Sequence, residues 1–104
     1  MSDYIAKRTF LLSPSMQEVH LVLHRPEALD DGAWRCRTEL IGLVARPLPA
    51  AFGVDAIQAI GIAIQSSDAW IQTLPEYKAQ RLLYPDGTVY AAIAPDPAWR
   101  TSSP

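Results

Sequence analysis

A chain of 104 residues with a net charge of −2 is one small domain, and its 49% hydrophobic and 19% charged residues rule out an extended disordered chain. A chain of this size hides roughly 65% of its unfolded surface, enough for one modest core. The slight acid excess argues against a nucleic-acid surface, which needs clustered Lys and Arg to displace counterions. The N-terminus has no basic region followed by an apolar stretch, so no signal peptide is expected. No run reaches the roughly 18 apolar residues of a membrane helix. The expected location is the cytoplasm.

Residues 4–12, YIAKRTFLL, read as a first strand. Its buried face is open, because Ile5/Leu11 and Phe10/Leu12 lie on opposite sides. Ser13, Pro14 and Ser15 supply turn chemistry. Residues 17–25 alternate as a second strand, with Val19, Leu21 and Leu23 on one face and Glu18, His20, Val22 and His24 on the other. Pro26 ends it, since proline has no N–H for the ladder. After a loop closing on Asp31-Gly32, residues 33–43 alternate again. Trp34, Cys36, Thr38 and Leu40 share one face; Arg35, Arg37 and Glu39 share the other. These three strands are expected to form an antiparallel meander with one wet face. Residues 44–52, with two prolines, form an edge strand or an extended crossing.

Residues 52–74 carry a helical period. Ile57, Ile60, Ile64 and Ile71 recur at three-, four- and seven-residue steps and predict the core face. Gln58, Gln65 and Gln72 lie opposite. Ala56, Ala59, Gly61 and Ala63 let the helix lie close to a sheet, and Asp55 suits the positive end of the dipole. Asp68 projects onto the apolar face. It is expected past the edge of the sheet, the alternative being a buried acid with a partner. Thr73-Leu74-Pro75-Glu76 resembles a capping box, which predicts a further turn over Glu76–Ala79. Gln80–Tyr84 and Thr88–Ile93 flank the turn Pro85-Asp86-Gly87 and predict a terminal hairpin. The domain is expected over 1–94, with a flexible proline-rich tail over 95–104.

Chemistry is sparse. The glycines at 32, 42, 53, 61 and 87 are too scattered for a phosphate-binding loop. GxSxG, HExxH and CxxC are absent. His20 and His24 share a strand face but stand about 13 Å apart, too far to hold one metal. Asp30-Asp31-Gly32 is too short for a calcium loop. Cys36, alone, cannot form a disulfide within the chain and reads as a small buried hydrophobe. No catalytic residue, cofactor or metal is expected. Trp34 is expected in the core and Trp70 partly buried; Trp99 is a docking anchor or an unpaired aromatic.

The strings RTF, GAWRC, FGVDAIQAI and PEYKAQRLL resemble a group of short bacterial proteins known only as a domain of unknown function. The likeness runs over roughly residues 5–92 and is most specific at 52–59. It implies a small cytoplasmic bacterial protein and brings no catalytic residues. Val89–Ala94 departs from it, lacking a glycine- and aromatic-rich close.

The expected fold is α+β, an antiparallel meander of three to five strands with one long helix packed on one face. The expected function is a non-catalytic protein-interaction module that binds a protein partner or itself as a homodimer. Val22, Ile62 and Trp99 are the candidate contact residues, and neither nucleic acid nor membrane is an expected partner. The alternatives are a small-ligand binder or enzyme with a pocket between helix and sheet, and an immunity-type toxin inhibitor.

Overall fold

The computed structural model describes residues 4–43 and 48–91. Strands β1 (Tyr4–Leu12) and β2 (Gln17–His24) form an antiparallel hairpin in which Phe10 faces Val19. That register settles the ambiguity of the first strand: Phe10 and Leu12 are buried and Ile5 is exposed.

The single strand expected over 33–43 divides at Arg37. Its second part, β5 (Thr38–Ile41), pairs with β2. Its first part, β4 (Trp34–Cys36), pairs with β3 (Glu27–Ala28) and β6 (Ala51–Gly53). The cause is Pro26. It ends β2, so residues before Arg37 have no ladder to join in that sheet and take partners elsewhere. The last strand, β7 (Leu82–Leu83), adds to β1. Two antiparallel sheets result, ordered β5-β2-β1-β7 and β3-β4-β6. The expected hairpin is present over 82–90, closed by Tyr84 N–H donating to Thr88 O at 2.7 Å.

Helix α1 (Ala56–Ile71) begins at Asp55, whose Oδ1 accepts from Gln58 N–H at 2.7 Å. The Gln58 side chain in turn accepts from Val54 N–H at 2.7 Å, so two otherwise orphaned donors are satisfied reciprocally. The box expected at Thr73 does not form. The Thr73 hydroxyl donates back to Trp70 O, and α2 (Pro75–Lys78) starts on its proline, whose fixed φ suits the first helical turn.

The isoleucine stripe is not the core face of α1. Buried instead are Ala59, Ala63, Ser67, Asp68 and Ile71, while Ile57 is 82% and Ile64 49% exposed; Ile60 is half-buried. The reason is closeness of approach. A Cβ on Gly53 would lie 2.6 Å from Ala59 N, so β6 and α1 are in backbone contact and only small side chains fit between them. The first half of α1 covers a small core of Cys36, Ala51, Ala59 and Ala63. The second half delivers Ile71 to the main core, with Phe10, Leu12, Val19, Leu40 and Leu82.

The candidate contact residues also move. Val22, expected outward, is only 4% exposed. It sits in the central strand with Lys7 and Glu39 opposite it on both sides, and its cross-strand neighbours shield it. Ile62, expected on the wet side, is half-buried against the small core. Trp99 and the tail 95–104 lie outside the described residues.

Candidate binding cleft

Alternation along β1 puts Arg8 on the same side as Phe10 and Leu12, a cation on a core-facing edge. The fold places Asp68 of α1 beside it. Asp68 is therefore a buried acid with partners, 4% exposed, and not a residue past the edge of the sheet. Tyr90, brought in by the terminal hairpin, donates its hydroxyl to Asp68 Oδ1 at 2.9 Å and accepts from Arg8 Nη1 at 3.1 Å. The Arg8 guanidinium lies 3.9 Å from Asp68 Oδ1 and 5.7 Å from the centre of the Tyr90 ring. Phe10, Tyr84 and Tyr77 pack edge-on around that ring at 4.6, 5.3 and 6.0 Å.

Burial, reinforced by the Asp68 carboxylate, pushes the Tyr90 phenol above its ordinary value of 10.0. Tyr90 is thus a protonated donor at neutral pH, not a base. The folded state holds its proton more tightly than the unfolded chain. Its contribution to stability is full below pH 10 and drains away as pH rises beyond that value. Thermal melts should show an alkaline loss of stability that is shallower in Tyr90→Phe than in the parent; superimposable alkaline limbs would refute this.

Beyond the Asp68 pair a cleft of about 180 Å³ opens between α1 and the four-stranded sheet. Ala6, Leu21, Leu23 and Ile64 give it apolar walls; Lys7, Arg8, Thr38, Ser67 and Asp68 give it polar ones. A bulge in β1 between Tyr4 and Ala6, where the register slips against β2, shapes the rim at Ala6. A second hollow of about 390 Å³, by Leu40, Trp70 and Leu74, has Glu76 as its one ionisable lining residue among those described.

Other polar groups are tied elsewhere. His24 pairs with Glu39, and His20 with Glu18 at 3.3 Å and with Thr9 at 3.1 Å. Arg35 and Arg37 both reach Glu27 at 3.2 Å. No three His, Cys, Asp or Glu residues among those described are grouped to hold a metal. Cys36 is buried, which pushes its thiol up, and its Sγ donates to His24 O at 3.4 Å. Such a thiol is poorly reactive.

Sequence reasoning missed Arg8, Thr38, Ser67 and Tyr90 as members of one site. The available signals were Asp68 within an apolar helix face and Arg8 in step with Phe10 and Leu12.

This arrangement defines an α+β domain with a polar-tipped cleft between its long helix and its larger sheet. The chain belongs to the family described as Domain of unknown function (DUF6968), whose model matches residues 6–92. No curated protein and no solved structure matches it. Among the described residues no helix is long and apolar enough to cross a membrane.

Proposed function

We propose that the chain is a non-catalytic protein-interaction module that pairs with a second copy of itself through the solvent side of α1. One observation carries this reading. The exposed side of the helix presents Ile57, Gln58, Gly61, Ile64, Gln65 and Ala69, with no charge among them. A solvated helix normally carries charged residues on its outer face, whereas the centre of an interface is depleted of them. Ile57 at 82% and neighbouring Val54 at 76% exposure add large apolar area there. An uncharged face is compatible with its own copy, because a two-fold contact sets the same patch against itself and no like charges meet there. Gly61 helps, since no atom lies within 4 Å of where its Cβ would be and a second backbone can approach closely.

The protonated Tyr90 and the buried thiol of Cys36 support a non-catalytic reading, for neither is poised near neutral pH as an acid, base or nucleophile. Sedimentation at tens of micromolar tests self-association. The parent chain should run at twice its 11.5 kDa mass and Ile57→Lys at 11.5 kDa with an unchanged circular dichroism spectrum. A parent chain that sediments as a monomer sinks the proposal.

A further inference from the structure

The cleft between α1 and the larger sheet contains hydrogen-bonding capacity that the fold leaves unused. Thr38 is 5% exposed, yet its hydroxyl has no partner among the described residues, and it lines the cleft. Asp68 spends Oδ1 on Tyr90; its other oxygen has no hydrogen bond among the described residues. The Ser67 hydroxyl donates to Ile64 O at 3.0 Å and so retains lone pairs to accept with. Arg8 commits one amino group to Tyr90 and keeps further N–H groups for the cleft. These groups open onto the cleft, where an occupant or water can pair with them.

The walls select its chemistry. Asp68 and Arg8 lie 3.9 Å apart and offset each other's charge; Lys7 also lines the cleft, but alternation carries its side chain to the opposite face of β1, across from Val22. An anion entering the cleft meets the carboxylate, and a cation meets the guanidinium. A neutral group with a donor on one side and an acceptor on the other satisfies both. The leucines and Ala6 leave an apolar slot beside it. A dry apolar cavity of about 150 Å³ admits benzene, so one of about 180 Å³ takes a single small ring or branched side chain.

We propose that this cleft binds a neutral carboxamide on a small apolar body, its N–H groups on Asp68 and Thr38 and its carbonyl oxygen on Arg8. The inference does not rest on self-association, and titration and sedimentation fail separately.

Amide chemical shifts of the full chain, titrated with benzamide, benzoate and benzylamine, test it. The three share a ring and differ in head-group charge. Benzamide should bind at about 1–10 mM, as expected of so small a ligand, and move the signals of Leu23, Thr38 and Asp68. Benzoate and benzylamine should bind at least about tenfold more weakly. Thr38→Val, which keeps the shape and loses the hydroxyl, should weaken benzamide about fivefold or more, and Thr38→Ser should restore it. A glutamine-containing tripeptide titrated alongside separates the two sources of a carboxamide: tighter binding than benzamide assigns the cleft to a protein side chain, weaker binding to a free small molecule. Equal binding of all three ring compounds, or no response to benzamide, overturns the proposal. Undiminished benzamide binding to a folded Thr38→Val chain also overturns it.

Discussion

Ile71→Ala is expected to cost about 2–5 kcal/mol in denaturant melts, and Ile57→Ala no more than about 0.5 kcal/mol. Both are isoleucines of the same helix, and the sequence period assigns both to one face. Ile71 is fully buried in the main core among Phe10, Leu40 and Leu82, so truncation removes apolar contact and leaves a cavity. Ile57 stands in solvent, where the same truncation exposes and buries almost nothing. The measurement is made at low concentration, so that the proposed pairing through Ile57 does not contribute to the result. Equal losses at the two positions would mean that the helix is rotated back onto its isoleucine stripe.

Two glycine-to-alanine substitutions should have opposite signs. Gly53→Ala places a Cβ 2.6 Å from Ala59 N and 3.0 Å from Gln58 Cβ. A backbone atom cannot swing aside as a side chain does, so β6 and α1 must separate. The cost of such overpacking is about 1–3 kcal/mol. Gly61→Ala meets nothing within 4 Å and replaces a poor helix former by the best, a gain of about 1 kcal/mol in the single chain. Urea midpoints of the two variants on either side of the parent confirm the packing. A harmless Gly53→Ala would show that the helix and the small sheet are not in backbone contact.

The elements that depend on local chemistry were legible in the sequence. β1, β2, the long helix and the hairpin around Asp86-Gly87 follow from alternation, period and turn residues within a few positions of one another. The division of the third strand was not legible. Its alternation from Trp34 to Leu40 is unbroken, and only the pairing of residues far apart in the chain shows that Arg37 is a junction. The helix face was misread because isoleucines weigh most in a hydrophobic pattern, whereas a helix lying against a backbone buries its alanines. The cleft was half legible. Asp68 announced itself as an acid on an apolar face, but its partners come from residues 60 positions upstream and 22 downstream, a proximity that no local pattern encodes.

The division at Arg37 also governs how the molecule comes apart. Residues 34–41 run from the small sheet into the large one with one residue between, and α1 lies across both cores. Opening the small sheet alone strips Ala59 and Ala63 from their partners while Ile71 stays anchored, which leaves the first half of the helix uncovered or breaks it in mid-length. Helix breakage of that kind forfeits intrahelical hydrogen bonds without releasing the anchored half. The two cores are therefore expected to exchange their protected amide hydrogens through one shared opening; two separate opening free energies in native-state exchange would show that each sheet opens alone.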